Sequence, residues 1–328
     1  MAPGVLWSRI PLPLRLNHVN VWALEDEAGW TVIDAGPDTM AAREIWETLF
    51  AGPLRGKPIT RLIATHGHLD HVGLAGWFVQ RQDACFTATL TEWQGARLRR
   101  LGEDDAAGQM DRFLIRHGCD PQSLQGFASH RATTMKLLGE QPPELVRIRE
   151  GDEVRIGGRV WRVIVAGGHA DEHASFYCEA DRILIAGDQV LPRITPVIGV
   201  FPSQPLADPL SDYLASLTRF EDLPPDCLVL PSHGEPFFGL RTRIAALREH
   251  HEERLARILE LVAEPATCWT VAASVFARAV SEGQGRLALA ESLAHLHRLA
   301  RLGEVATLHD GHDETIRFVR TAGRPRAS

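Results

Sequence analysis

Short apolar segments and amphipathic segments alternate along the first part of the chain, from Val19 to about Thr89. Two apolar runs flank the polar, glycine-containing stretch 25–29, and this arrangement predicts a β-hairpin. The pattern as a whole predicts strand 19–24, strand 30–34, helix 39–50, strand 59–64, helix 72–81 and strand 85–89. Alternation of this kind is typical of a β-sheet covered by helices.

The pattern changes between about 91 and 143, where helical segments are predicted at 92–101, 106–117 and 121–138. Strands resume at 144–148, and the pair Gly157 and Gly158 predicts the turn of a second hairpin. Further strands are predicted at 161–166, 175–178 and 182–186. The helical stretch is therefore an insertion into a β-rich framework, and such insertions often act as lids.

A third pattern begins after His233, with three helical segments followed by two short apolar runs. These segments predict helix 240–264, helix 269–280, helix 287–302 and a hairpin of strands 304–308 and 315–320. Three helices and a two-stranded wing are the order of a winged helix, a class that often binds nucleic acid. Residues 235–328 carry 13 Arg and 12 Asp or Glu, so this segment is close to neutral and nucleic-acid binding is not favoured. We expect a first domain at 1–240, with the helical insertion at 91–143, and a winged-helix-like domain at 241–328.

The composition is that of a globular protein long enough for two domains. The chain has 328 residues, 45% hydrophobic and 23% charged, with a formal charge of −7. These values exclude a disordered chain and do not favour a polyanionic partner. No apolar run is long enough to span a membrane, no secretion signal is visible, and the five cysteines form no CxxC pair. We therefore expect a cytoplasmic protein with reduced thiols and no membrane partner.

Four potential metal ligands lie within six residues, directly after the apolar run that predicts the strand at 59–64. They are His66, His68, Asp70 and His71, and imidazole and carboxylate groups bind divalent metals such as zinc. His66 and His68, two apart on an extended backbone, can bind one ion, and Asp70 and His71 then point to a neighbouring position. Because a catalytic ion usually takes three protein ligands, four candidates in one loop predict two ions.

Three later strand ends carry side chains of the same kind. His169 and His173 follow one apolar run, Asp188 follows the next, and His233 follows a third. Each place has an apolar run, a small or turn residue and then a ligand-type side chain, a repetition that core packing does not account for. We therefore expect these groups to complete the site.

The motif His66-x-His68-x-Asp70-His71, followed by His169, Asp188 and His233, resembles the metallo-β-lactamase-fold hydrolases. The similarity covers about residues 15–240 and is greatest to the dinuclear branch with glyoxalase II, metal-dependent lactonases and tRNase Z-type nucleases. The resemblance implies an α/β fold, a four-layer αββα sandwich with the metal ions at one edge. It also implies that one ion is bound by His66, His68 and His169, that the other is bound by Asp70, His71 and His233, and that Asp188 bridges them.

Two further residues match family positions that support the metal ligands. Asp34 matches an early aspartate that supports the ligand loop, and His173 matches a histidine four residues after the third ligand. From the sequence alone, Asp34 could instead cap the helix after Gly36, and His173 could be a packing residue.

The chain also departs from parts of the family. True β-lactamases have a cysteine ligand where this chain has Asp188, so antibiotic hydrolysis is not expected. No basic cluster suited to glutathione is visible, so a glutathione thioester is one candidate substrate among several. The C-terminal segment resembles the appended domain of a cytoplasmic subgroup, some members of which cut single-stranded RNA.

The resemblance implies a dinuclear metal-dependent hydrolase of an ester, thioester or lactone. A hydroxide shared by two divalent cations would attack the carbonyl carbon, with Asp70 orienting it and Asp188 fixing the spacing of the ions. Zinc is the expected metal, with iron or manganese as alternatives, the substrate is expected to be a small molecule, and the protein a homo-oligomer. The alternatives are a phosphodiesterase or endoribonuclease and, in third place, an iron-dependent oxidoreductase of the same fold.

Overall fold

The structure of the protein is a computed structural model that describes residues 2–102, 108–309 and 314–321. By its internal contacts the chain forms two compact units. The first comprises Met1–Asp104, Thr133–Pro196 and Leu217–Ile244, and the second comprises Asp105–Ala132, Val197–Ser216 and Ala245–Ser328. Each is described by itself below.

A six-stranded sheet in the first unit begins with antiparallel strands and continues with parallel ones. Its strands, in spatial order, are β1 Val5–Pro11, β2 His18–Glu25, β3 Trp30–Ile33, β4 Ile59–Ile63, β5 Cys85–Ala88 and β6 Val146–Arg147. The first predicted hairpin is confirmed, because β2 and β3 pair with Trp22 opposite Ile33. Strand β1 was not predicted, since Arg9 and Pro11 interrupt its apolar character, yet it pairs with β2 along its whole length.

The second sheet of the first unit has five strands. In chain order they are β7 Glu153–Ile156, β8 Arg159–Ala166, β9 His173–Cys178, β10 Ile183–Gly187 and β11 Leu228–Pro231. Neighbouring strands pair in the order β11-β10-β9-β8-β7, and β10 and β11 alone among these pairs are parallel. The second predicted hairpin is also confirmed: Gly157 and Gly158 have φ angles of 60° and 72°, which two-residue hairpin turns require and glycine adopts without strain.

Alternate residues of the first sheet belong to two different hydrophobic cores, as the two-residue period of a strand dictates. Trp22, Ile33 and Ile63 pack with Trp161 and Phe176 of the second sheet. This core lies between the two sheets and fixes the ends of their strands relative to each other.

The residues next to these in sequence face the other way. Val21, Val32 and Leu62 belong to a second core that contains Trp46 and Phe78, from helices α1 Met40–Ala51 and α3 Ala75–Gln82. Helix α1 was predicted at 39–50, and the side chain of Thr39 caps it by accepting a hydrogen bond from the N–H of Ala42 at 3.1 Å.

The helix predicted at 72–81 is divided in the structure. Helix α2, Leu69–Val72, ends before Gly73, and α3 begins at Ala75. The backbone leaves the helix here because Leu74 donates its N–H to the carbonyl of Gly36. A Cβ at Gly73 would lie 2.4 Å from the carbonyl oxygen of Leu137, so the close approach of these chains requires glycine.

The predicted helical insertion contains helices but is shared between the two units. Its helices are α4 Leu90–Leu101, α5 Gln109–Arg116 and α6 Pro121–Thr134, followed by a 3₁₀ turn at Met135–Leu137. Residues 108–132 lie in the second unit, as do residues 197–216. The reason is contact with the C-terminal segment: Trp269 donates its N–H to the carbonyl of His117 at 3.0 Å, and its ring packs against Phe127. The last segment of the first unit ends at Ile244. The domain bounds 1–240 and 241–328 stay a prediction.

The remaining elements are two short helices that were not predicted, followed from Leu240 onward by the predicted order of helices and a hairpin. They are α7 Pro209–Ser216, α8 Thr218–Glu221, α9 Leu240–Leu261, β12 Ala266–Thr267, α10 Cys268–Val275, α11 Ala277–Ala279, an irregular turn at Val280–Gln284, α12 Gly285–Arg301, β13 Val305–His309 and β14 Ile316–Arg320. Strands β13 and β14 form the predicted hairpin, and β12 adds a short third strand beside β14. The winged-helix interpretation of this segment stays a prediction. Within the part of the chain that is described, no helix combines the length and the apolar character needed to cross a membrane.

Candidate metal centre

All seven predicted ligands come together in the first unit. They leave strand ends that are far apart in sequence: His66, His68, Asp70 and His71 follow β4, His169 follows β8, Asp188 follows β10, and His233 follows β11. The ends of these strands are close because the two sheets pack face to face over a shared core.

Three histidines form the first group of potential ligands. The Nε2 atom of His66 lies 2.8 Å from Nδ1 of His68 and 3.2 Å from Nε2 of His169. The three nitrogen atoms lie within 4.8 Å of one another. This is the set that the resemblance assigns to one ion.

Asp70, His71 and His233 form a second group. The two oxygens of Asp70 face different rings, with Oδ1 3.7 Å from Nε2 of His71 and Oδ2 3.5 Å from Nε2 of His233. This is the set that the resemblance assigns to the other ion.

Asp188 lies between the two groups. Its Oδ2 atom is 3.4 Å from Nε2 of His169 and 3.6 Å from Nε2 of His71, while its Oδ1 atom is 3.4 Å from Nε2 of His233. One carboxylate therefore faces nitrogen donors of both groups, which is the placement that a bridging ligand needs.

The donor atoms fit divalent metal ions. Among the described residues, His71 Nε2 and Asp188 Oδ1 are buried atoms without a hydrogen-bond partner, although burying such groups unpaired is costly. A cation between them would coordinate both. The groups contain nitrogen and carboxylate donors and no cysteine, a set that suits zinc, iron or manganese.

The second ring nitrogen of each of three histidines is held by a group outside the centre. His71 donates from Nδ1 to Oδ2 of Asp34 at 2.8 Å, and His233 donates from Nδ1 to the carbonyl of His18 at 2.8 Å. The Nδ1 atom of His66 contacts Oγ1 of Thr65 at 3.0 Å. These contacts fix the ring orientation and leave each Nε2 atom facing the other donors.

Asp34 supports the ligand loop and does not cap α1, a role that Thr39 takes. Its carboxylate accepts hydrogen bonds from the N–H of Thr65 at 2.8 Å and from the hydroxyl of Thr65, in addition to the one from His71. The residue is buried and has a φ angle of 62°, a left-handed conformation that aspartate and asparagine adopt more readily than most residues.

His173 belongs to none of the ligand groups formed by the described residues. Its Nε2 atom accepts a hydrogen bond from the N–H of Asp188 at 3.1 Å, so that nitrogen is engaged. A Cβ at Gly187 would lie 2.4 Å from the same atom, so glycine is required before Asp188. The ring of His173 therefore positions the backbone of Asp188.

Burial and neighbouring charges set the protonation of the ligands. Burial lowers the pKa of His66 and His68 well below the ordinary value, so both rings are neutral and can donate a lone pair to a metal. Burial alone would raise the pKa of Asp70, but the charges of His71 and His233 outweigh it and lower this pKa to about 2. Burial would likewise lower the pKa of His233, but Asp188 and Asp70 raise it to about 10. The carboxylates thus attract positive charge to the position between them.

Several supporting residues were not identified from the sequence. Thr65 contacts Asp34, His66 and His71 through its hydroxyl group. Asn20 donates from Nδ2 to the carbonyls of Pro231 and Gly234, at 2.8 Å each, and so holds the loop that carries His233. A polar Asn20 inside the apolar run of β2 was a signal, because a buried amide needs partners. The identity of these partners could not be predicted from the sequence, because Pro231 and Gly234 are distant from Asn20 along the chain.

The protein has an α/β fold with two packed sheets, and its strand ends bring together histidine and carboxylate donors. These features are those of a class of metal-binding proteins. Residues 14–233 match the Metallo-beta-lactamase superfamily, and residues 255–321 match the family described as Metallo-beta-lactamase-like, C-terminal domain. The chain belongs to the metallo-beta-lactamase superfamily. The predicted fold class, the αββα sandwich of this superfamily, is thereby confirmed.

Three similar proteins illustrate the relationship. The probable metallo-hydrolase YqjP of Bacillus subtilis (strain 168) is 27% identical over 94% of this chain and 96% of its own length. The hydroxyacylglutathione hydrolase of Methylobacterium sp. (strain 4-46) is 30% identical over 50% of this chain and 62% of its own length. The crystal structure of a beta-lactamase domain protein from Burkholderia ambifaria has 41% identity and a TM-score of 0.89, covering 98% of this chain and 93% of that one.

Proposed function

We propose that this protein is a dinuclear metal-dependent hydrolase of a small ester, thioester or lactone. The observation that carries the proposal is the position of Asp188, whose two oxygens face nitrogen donors of both ligand groups. In this proposal His66, His68 and His169 would hold one ion, Asp70, His71 and His233 would hold the second, and Asp188 would contribute a ligand to both. Zinc is the favoured metal, with iron or manganese as alternatives.

Two such cations would supply a water of near-neutral pKa and positive charge for the oxygen of the substrate carbonyl. The protein would orient the attacking water and partly exclude bulk solvent from the site. The Asp70 side chain is 17% exposed, against 8% for Asp188 and 3% for His233, so Asp70 is the carboxylate most open to an incoming molecule. Its low pKa keeps it ionised, and it would accept a hydrogen bond from the attacking water and so orient it.

Charge and similarity both favour a carbonyl substrate over a nucleic acid. The chain carries −7 in total and residues 235–328 carry +1, which leaves −8 for residues 1–234, the part that contains the ligands. A polyanion would be repelled by this charge. The names metallo-hydrolase and hydroxyacylglutathione hydrolase of two relatives agree with hydrolysis, the second with a thioester.

A substrate panel tests the proposal. Purified protein reconstituted with zinc would be assayed on an aryl ester, a lactone, a glutathione thioester, a bis-aryl phosphate and single-stranded RNA, with and without a chelator. We expect turnover of at least one carbonyl substrate that the chelator abolishes and added zinc restores. Turnover confined to the phosphate or RNA would replace the proposal with the phosphodiesterase alternative. Stoichiometric iron with visible absorbance, in protein produced without added metal and lacking hydrolytic turnover, would favour an oxidoreductase.

A further inference from the structure

One buried carboxylate on α4 contacts two ligand loops at once. Glu92 is 6% exposed, and its Oε2 atom accepts a hydrogen bond from the N–H of Gly67 at 2.8 Å. Its Oε1 atom accepts a hydrogen bond from the N–H of Glu172 at 3.0 Å. Gly67 separates His66 from His68, and Glu172 lies three residues after His169. The loops joined by Glu92 are therefore those that carry the first group of potential ligands.

The backbone at Gly67 is held on both sides by α4. Glu92 accepts from its N–H, and the guanidinium group of Arg99 donates to its carbonyl oxygen at 2.6 Å. A Cβ at Gly67 would lie 2.5 Å from the carbonyl oxygen of Glu92 and 2.8 Å from a nitrogen of Arg99, so glycine alone fits here. Because both flanking peptide groups are fixed, the directions in which His66 and His68 leave the backbone are fixed as well.

The second loop is attached to the beginning of α4. The Oε2 atom of Glu172 accepts a hydrogen bond from the N–H of Thr91 at 3.0 Å, and the carbonyl of Glu172 accepts one from the hydroxyl of Thr89 at 2.8 Å. The N–H groups in the first turn of a helix have no partner within the helix, and a carboxylate is favourable there. These contacts place the N–H of Glu172 within reach of Glu92.

We propose that Glu92 is a positioning residue that joins the two loops and so holds the nitrogen atoms of His66, His68 and His169 at the spacing of one metal position. The inference rests on the dinuclear centre proposed above. The hydrogen bonds of Glu92 go to backbone N–H groups and to neither ion's donor atoms, so its effect passes through the loops. Ordered donors lose less conformational freedom when the metal binds, and the affinity is higher.

The substitution Glu92→Gln tests this with little change in volume. A carboxylate offers two acceptor oxygens, whereas an amide offers one acceptor and an NH₂ group that would face an N–H donor. One loop is then left without its partner. We expect the affinity for zinc to fall by about 10–100-fold at the position formed by His66, His68 and His169, and to change little at the other.

The measurement is zinc binding to metal-free protein, followed by competition with a chromophoric chelator in the absence of substrate. The matched control is Asp208→Asn in the second unit. Asp208 is also 6% exposed and accepts a hydrogen bond from a backbone N–H, that of Ser211 at 3.1 Å. This control reports the general effect of replacing a buried carboxylate, and its zinc affinities are expected to match those of the wild type.

Two further variants guard against misfolding and indirect effects. Glu92→Asp keeps the charge but is one methylene shorter, so it cannot span both N–H groups, and the same selective loss of zinc affinity is expected. In a His169→Ala background, Glu92→Gln is expected to add little, because coupled residues give non-additive effects. Far-UV circular dichroism and thermal melts establish that each variant is folded.

The inference is overturned if folded Glu92→Gln binds two zinc ions with wild-type affinities, or if it and Asp208→Asn weaken both positions equally. The first result leaves the proposed hydrolase activity intact. Conversely, Glu92→Gln could lose zinc selectively while the wild-type protein hydrolyses none of the carbonyl substrates. That result would contradict the proposed function and support the positioning role of Glu92.

Discussion

Among single residues, Asp188 faces both groups of potential ligands, because its Oδ2 atom lies near His169 and its Oδ1 atom near His233. Replacing it with alanine removes both contacts, and replacing it with asparagine keeps the shape but not the charge. We expect Asp188→Ala to abolish turnover and Asp188→Asn to lower zinc affinity and turnover by at least about 100-fold, since even residues behind metal ligands contribute 10–100-fold. Metal content and turnover are measured on protein shown to be folded. Unchanged turnover in folded Asp188→Ala would refute the bridging role.

Asp34 allows a test in which the backbone stays unchanged. Asparagine tolerates the φ angle of 62°, but its NH₂ group would face the Thr65 donors or His71. We expect Asp34→Asn to lower zinc affinity by about 10–100-fold, measured by chelator competition. Asp83→Asn is the control, because Asp83 also has a positive φ angle, 53°, but lies at the end of α3. Equal zinc affinity in the two variants would contradict the supporting role of Asp34.

At the scale of whole elements, α9 and α12 bring together two buried histidines in the second unit. His251 Nδ1 lies 3.2 Å from Nε2 of His295, and burial lowers their pKa values to about 2 and about 3. Charges on His250, Arg254 and Arg298 face this pair and lower the pKa values further. The neighbouring Glu291 has its pKa raised to about 7 by burial, which Arg254 only partly offsets.

These shifts predict that the protein loses stability as the pH falls below 6.5. The unfolded chain takes up a proton at each histidine near pH 6.5, whereas the folded chain does not until about pH 3, so stability present above pH 6.5 is lost on acidification. Glu291 acts in the opposite direction between pH 4.5 and 7, but it contributes one proton against two. We expect His251→Phe to reduce the dependence of the unfolding free energy on pH by up to about 1.4 kcal/mol per pH unit. Denaturant unfolding at several pH values measures this, and an unchanged slope would contradict it.

Elements were predicted well where their pattern was local. The hairpin turn at Gly157 and Gly158 and the helix predicted at 39–50 depend on a few neighbouring residues, and both are present. Strand β1 and the break at Gly73 were missed, because each depends on a partner elsewhere in the chain. The partner is β2 in the first case and the backbone of Gly36 and Leu137 in the second.

For the molecule as a whole, the centre of the first unit concentrates charge that a bound cation would balance. Asp34, Asp70 and Asp188 all lie near His71, and two buried atoms of the centre lack hydrogen-bond partners among the described residues. Metal that binds the folded chain and not the unfolded one stabilises it by about 2.7 kcal/mol at 100 times the dissociation constant. We expect a chelator to lower the melting temperature by several degrees and added zinc to restore it, as measured by calorimetry. A melting temperature that is the same with and without chelator would argue against a metal centre.

The division into two compact units could not be predicted from the pattern of hydrophobic and polar residues along the chain. The sequence pattern predicts the helical insertion as one segment, yet α4 lies in the first unit and α5 in the second. Composition carries no information on this division, because it depends on contacts such as that between Trp269 and the carbonyl of His117, which are far apart in sequence.

The sequence by itself determined which side chains could bind metal and that they follow strand ends, because ligand type and strand pattern are both local properties. It could not determine which nitrogen of each ring faces the centre, nor that Glu92 lies behind two of the loops. The orientation of His71 depends on Asp34, that of His233 on the carbonyl of His18, and that of the His66 and His68 backbone on Glu92 and Arg99. Each is a hydrogen bond between groups distant along the chain, and only the folded arrangement of the two sheets and α4 brings those groups within bonding distance.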